Sequence, residues 1–291
     1  MKHFCLIFAL LTLLYAPGAY AKSKDFPHAE VKVSYSYAHK RLKTDAKAYD
    51  DEYVMLLLAN SRYSKFFSPH TEYLDSLDST PSGRALSDRL LHEGIKKYIE
   101  TKDESAIPAK NGSMYVFKSL DDSTVTVYDQ AGMSEFGYYT EPLAEMRWEI
   151  GDSIKNVLNY ECVMAATDYH GRHWTVWFTT DIPLQDGPWK LCGLPGLILE
   201  ASDSSGQHHF IATGIEACDN PIMPIYNPKK YDRMKRRDML KIGRSYLTNG
   251  ATMVNALISN TPGGERIEMK NNNDSSQADL HVDFLETDYH E

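Results

Sequence analysis

Most of the chain alternates between apolar and polar positions at a period of two, broken at intervals by turn residues. Val31, Val33, Tyr35 and Tyr37 fall on one side of a segment and Lys32, Ser34 and Ser36 on the other, the pattern of a half-buried strand. Tyr53 to Ala59 predicts a second, more apolar strand, followed by Ser64-Lys-Phe-Phe-Ser68. From Pro69 to Pro108 the chain turns polar, and Leu86, Leu90, Ile95 and Tyr98 recur at helical spacing, with Ser82 or Ser87 as caps. Short strand patterns then return at Met114–Ser119, Thr124–Asp129, Gly137–Thr140 and Met146–Ile150. Two longer ones, Leu158–Tyr169 and Arg172–Thr180, flank a tight turn at His170-Gly171. Leu197–Ser202 and His208–Ile215 form a hairpin around Asp203–Gly206. Lys229 to Leu247 reads as a basic amphipathic helix with Met234, Asp238 and Ile242 on one edge, ended by Asn249-Gly250. Beyond Gly264 the composition becomes rich in Asn, Asp, Ser and Gln, and Asn271 to Gln277 reads as a tether. Leu280–Leu285 alternates again, as an edge strand would.

Successive short strands joined by tight turns imply antiparallel pairing rather than βαβ units. The expected fold is mainly β (α+β): a curved antiparallel sheet or half-barrel, with a helical insertion near 69–105 and a helix near 229–247. The expected organisation is a leader over 1–21, one β-rich domain over 22–262, and a polar tail over 263–291.

The leader reading rests on three parts. Lys2 and His3 make a basic start, Phe4 to Tyr15 is apolar, and Ala19-Tyr20-Ala21 presents small residues where a signal peptidase cleaves. The apolar part is shorter than the ~20 residues that span a bilayer. The expectation is therefore an exported chain beginning at Lys22 with no transmembrane segment. With 40 Asp and Glu against 31 Lys and Arg, the net charge of −9 argues against nucleic acid as a partner.

The run from Trp174 to Glu200 includes Gly193-Leu-Pro-Gly-Leu-Ile198. It is preceded by Tyr160-Glu-Cys-Val-Met-Ala-Ala166, Asp181-Ile-Pro183 and Gly187-Pro-Trp-Lys190. On these pieces the chain resembles the GLPGLI family of secreted proteins from Gram-negative bacteria. The resemblance implies export to the envelope, periplasmic or associated with the outer membrane, and supplies no catalytic residue and no cofactor. At the level of fold, a long sheet hugging a helix is similar to the envelope half-barrels that ferry lipoproteins.

The signature breaks a strand pattern, because Pro195 cannot donate to a ladder and glycine inside a strand marks a bend or a close approach. Two readings follow. In one, the bend lets a curved sheet close over its own core. In the other it is the lip of an apolar groove formed by Trp177, Trp189, Leu194, Pro195 and Leu197, holding a hydrophobic or peptide-like ligand or serving an outer-membrane transport or assembly protein. Trp174 and Trp177 lie three apart and so face opposite ways in a straight strand.

Cys162, Cys192 and Cys218 follow the leader, an odd number for an oxidising compartment. Folding the hairpin at Ser204-Ser205 sets Ile198 opposite Ile211 or Ala212, and carries Cys192 to Ala217 or Cys218. A Cys192–Cys218 bridge with a free Cys162 follows from the second register. An enzymatic alternative would use His170, His173, Asp168 or Cys162. However, no HExxH, CxxC or GxSxG spacing supports it, and no metal ligand set is expected. A purely structural scaffold is the third reading.

Overall fold

The computed structural model describes residues 26–41, 49–103, 106–132, 134–143, 145–246 and 284–289. The leader, Asn249-Gly250, the tether and residues 280–283 lie outside them. Six strands run in sequence from the centre of one sheet to an edge: β1 (Val31–Arg41), β2 (Tyr49–Ala59), β3 (Tyr63–Phe67), β4 (Tyr115–Ser119), β5 (Thr124–Gln130) and β6 (Phe136–Pro142). The chain then passes to the opposite edge and returns through β7 (Glu149–Val157), β8 (Tyr160–Tyr169), β9 (Arg172–Thr179), β10 (Leu197–Asp203) and β11 (His208–Ala217). β11 pairs with β1, and the described order is β12-β6-β5-β4-β3-β2-β1-β11-β10-β9-β8-β7. Each of these ladders is antiparallel except the short one between β6 and β12 (Asp232–Arg233), so the sheet is mixed.

The passage from β6 to β7 requires strong curvature. Laid flat, the ten strand spacings between them would span about 48 Å. The link from Pro142 to Glu149 reaches at most about 25 Å. The sheet therefore curls without closing, and one face becomes concave. Val33, Tyr35, Phe66, Val127, Trp174, Val176 and Phe210 fill that face as one apolar cluster. The Tyr35 hydroxyl crosses it to donate to the Ile198 carbonyl at 2.7 Å. A smaller cluster on the convex face gathers Phe67 and Tyr115 under Ile222, Ile225 and Tyr231.

The helical insertion comprises α1 (Pro69–Asp78) and α2 (Pro81–Thr101), each with proline in its first turn. Ser68 and Thr80 cap them, in place of Ser82 or Ser87, since each places its side-chain oxygen on the N–H three residues on. On α2, Leu91, Ile95 and Ile99 are exposed.

The basic helix begins later than its charge pattern predicts. Pro228–Lys230 forms a single 3-10 turn, and the Met234 N–H donates to the Tyr138 carbonyl at 2.9 Å, beside β12. That pairing holds the backbone extended, and α3 is described only over 236–246. Met239 is buried on its inner side and Ile242 packs against the main cluster. β7 runs past Ile150 to Val157, and the hairpin to β8 turns on Leu158 and Asn159, both at positive φ. Phe284 and Leu285 belong to no strand. No helix among the described residues is long and apolar enough to cross a membrane.

In the β10–β11 hairpin Glu200 stands opposite Ile211, so Ile198 faces neither Ile211 nor Ala212. The register expected from a turn at Ser204-Ser205 is off because the ladder turns between Ser205 and Gly206. No Cys192–Cys218 bridge is formed, and all three cysteines are free. The Cys218 thiol points at the Ala29 carbonyl, 3.7 Å away beside β1. Cys192 is buried just before the 193–198 bend, and the Trp148 indole donates to its carbonyl at 2.9 Å.

Candidate functional site

The segment Asp186–Leu191 lies across the concave face and is held from below by one lysine. Lys118 shares the inward parity of Val116 on β4 and is buried. Its ammonium pairs with Asp186, itself buried, and donates to the carbonyls of Gly187 and Trp189, both at 2.9 Å, and more weakly to that of Leu191 at 3.4 Å. Three carbonyls and a carboxylate thus converge on one cation. They hold Trp189 at φ 53, a left-handed conformation that a bulky residue rarely keeps without such support.

Trp189 is one wall of a cavity of about 190 Å³ between the sheet, α3 and the 284–289 segment. Tyr53, Met55, Tyr139 and Phe210 line it as well, with Asp129 and Glu286 as its carboxylates. The volume slightly exceeds that of a cavity that accepts benzene (about 150 Å³).

The two carboxylates are handled differently. Glu286 belongs to a buried ion cluster. Lys190 bridges it to Glu141 and lies over the Tyr139 ring at 4.9 Å. Arg236 binds Glu286 and Asp288 and reaches Glu141 at 3.5 Å. His170 Nδ1 lies 3.1 Å from Asp288, and its Nε2 is 3.4 Å from Glu141. Burial opposes ionisation of Glu141, but His170 and Lys190 outweigh it and bring its pKa down to about 2. Asp288 is likewise brought to about 2, burial being overcome by Arg236 and His170. His170, Glu286 and Asp288 could gather around a metal ion. Their oxygens already serve Lys190 and Arg236, so the set suits an ion-pair latch for the 284–289 segment better than a divalent cation. Arg172 holds the same segment from the other side, donating through Nε (3.0 Å) and Nη2 (2.7 Å) to the Phe284 carbonyl.

Asp129 has no cation among the described residues. The Ser113 hydroxyl and the Gln130 N–H (2.7 Å) both address its Oδ1, and no described residue forms a salt bridge with it. Burial raises its pKa to about 6, against the help of Ser113 and Gln130.

Two pH-dependent contributions of opposite sign follow. Glu141 and Asp288 titrate lower in the folded chain than in the unfolded one. Their stabilisation is present above the usual carboxylate range and is lost as pH falls from about 4.5 toward 2. Asp129 titrates higher when folded, so its contribution is most favourable below about 4 and is lost as pH rises through about 6. Melting temperatures measured from pH 2 to pH 8 should fall steeply below pH 4. In Asp129→Asn, a variant that keeps an acceptor for Ser113, melting at pH 8 should rise by several degrees, for a gain on the order of 2 kcal/mol. At pH 4 the substitution should change little. An equal shift at both pH values would contradict this account.

Of the residues expected in a groove, the structure brings only Trp189 to the cavity. Trp177 is half-buried on the other face, with the Lys155 ammonium 4.4 Å from its ring centroid. Leu194 and Leu197 are core, and Pro195 is exposed. Residues 193–198 are a bend leading into β10, in line with the first reading of the signature. Gly193 takes φ +91, and Gly196 passes against the Thr179 backbone.

The residues of the enzymatic alternative do not converge. His173 pairs with Asp168 at 2.8 Å on the exposed side of β8–β9, while His170 turns into the ion cluster. Cys162 is buried six residues along β8 from Asp168, roughly 20 Å away. Burial raises its pKa, as it does that of Cys192 to about 11, and this suppresses the thiolate.

Fold and cavity together define an open, curled β-sheet protein with a small aromatic-lined chamber on its concave side. Residues 170–200, which carry the His170-Gly171 turn, β9 and the bend, match the family described as "Protein of unknown function (Porph_ging)". No curated protein matches the chain. Solved structures of PNGF-II in C2 and P21 space groups overlay with TM-scores of 0.46 and 0.45 at 15% identity. The overlays cover 75% and 74% of this chain but 34% and 33% of theirs, so the chain spans about a third of the length of those proteins.

Proposed function

We propose that the chain is an exported, non-enzymatic binding protein of the GLPGLI type that holds a small, mostly apolar ligand in the chamber beside Trp189. The observation that carries this reading is the chamber itself. Its walls are aromatic and methionine side chains, with two inward carboxylates to orient a guest. The organisation around it supports the reading: Lys118 fixes the Trp189 wall and the ion cluster fixes the 284–289 wall, so the space is held open by buried charges. Periplasmic or outer-membrane placement, and an outer-membrane assembly or transport partner, belong to the same proposal and rest on the leader pattern.

Two measurements test it. Fractionation of the native host with N-terminal sequencing should give an envelope protein beginning at Lys22. In the purified protein, millimolar benzyl alcohol should raise the melting temperature and shift the tryptophan emission, and the emission change should be lost in Trp189→Phe. If benzyl alcohol and similarly sized neutral and charged aromatics produce no shift, the binding reading fails. A cytoplasmic, uncleaved product would remove its export half.

A further inference from the structure

We propose that the guest of this chamber is an organic cation, a primary ammonium on a small apolar body, with Asp129 as its counter-ion. The inference rests on the binding reading above and names the ligand class.

The charges around the chamber carry it. Of the two carboxylates in its lining, Glu286 is matched by Lys190 and Arg236. Asp129 is matched by neither. It comes from β5 at the same inward parity as Val125 and Val127, opposite Gly137 of β6. Its two described donors both serve Oδ1, which leaves Oδ2 to accept from a guest. An uncompensated carboxylate in an apolar wall is costly, and a partner of opposite charge is the usual remedy.

His39 apart, the remaining walls suit the same charge. Tyr37, Tyr53, Tyr139, Trp189 and Phe210 contribute aromatic rings, whose faces attract ammonium groups and repel anions. Met55 and Met239 add polarisable sulfur rather than a competing donor. An anionic guest would meet the field of Asp129, while the nearby cations Lys190 and Arg236 are already engaged by Glu286. A neutral guest would fill the volume and leave that carboxylate desolvated. A cation satisfies both demands, and at about 190 Å³ the space fits one ring with a methylammonium arm.

The test compares three probes of nearly equal size by isothermal titration calorimetry on the purified chain at pH 8: benzylammonium, benzyl alcohol and benzoate. Benzylammonium should bind at least tenfold more tightly than benzyl alcohol, with benzoate weakest. In Asp129→Asn, checked first for a cooperative melt, the ratio of the first two affinities should fall close to one. Equal affinities for benzylammonium and benzyl alcohol in the unaltered protein overturn the cation inference and leave the binding reading standing. A preference that survives Asp129→Asn overturns the assignment to Asp129. If no probe binds, the binding reading itself has failed.

Discussion

Lys118→Met should cost about 3–5 kcal/mol of folding stability, the usual penalty for removing one partner of a buried pair. Methionine approximates the length of the lysine stem, so lost packing is a minor part of the effect. What remains is Asp186 as a buried carboxylate without its cation, and the carbonyls of Gly187, Trp189 and Leu191 without their shared donor. The Trp189 backbone loses the contact that supports its positive φ. Urea unfolding should show a lower midpoint with an unchanged slope. Lys118→Met/Asp186→Leu should lose less than the two single changes added together, with a coupling of about 1–3 kcal/mol. The carbonyls stay unsatisfied in the double variant, so recovery should be partial. A single-variant loss below about 1 kcal/mol would mean that water replaces the ammonium, and the segment 186–191 would then need another anchor.

Gly196→Ala should be the more damaging of the two alanine substitutions in the signature, at about 3 kcal/mol or more. A Cβ at this position would collide with the Thr179 carbonyl oxygen and lie 2.7 Å from the carbonyl carbon. Both atoms are backbone, in the strand against which Leu197 pairs, so relief requires moving β10 relative to β9. The Leu197 N–H bond to the Ile182 carbonyl (3.1 Å) and the Ile198 N–H bond to the Asp186 carbonyl (2.9 Å) would shift with it. Gly193→Ala meets open space, its nearest neighbour being the Trp148 indole nitrogen at 3.8 Å, and pays mainly for φ +91, about 1 kcal/mol. Chemical denaturation of the two variants side by side checks the ranking. The reverse order would place the strain of the signature at its first glycine.

Alternation made the strands around the core legible. Val33, Tyr35 and Tyr37 declared their inward side, as did Val125 and Val127. β7 was harder to read because an edge strand exposed along most of its length has no need to alternate; Ile150 and Ile154 are both more than half exposed. The late start of α3 could not be read from charges, since a backbone bond to Tyr138 decides it. The signature was readable as a bend. Its bulky neighbours leave a core and a groove both open on pattern alone, and Leu194 and Leu197 face the core. The ion cluster was hidden by distance along the chain, because its members come from positions 141, 170, 190, 236, 286 and 288. A partial signal did exist. Lys118 and Asp129 occupy inward positions of otherwise apolar strand faces, and a charge at such a parity asks for a partner.

The seam between β1 and β11 sets the order in which this protein can assemble. Val31 pairs with Ala217, so the first described strand waits for nearly the last before its second side is covered. Within each half, β1–β6 and β7–β11, strands pair with their neighbours in sequence, the helical insertion separating β3 from β4 and the bend segment separating β9 from β10. Joining them requires closing the loop from position 31 to position 217, and folding should be slow for its size because of this high contact order. Until then both open margins can pair with other copies. A chain released before residue 217 therefore has two sticky half-sheets and no chamber.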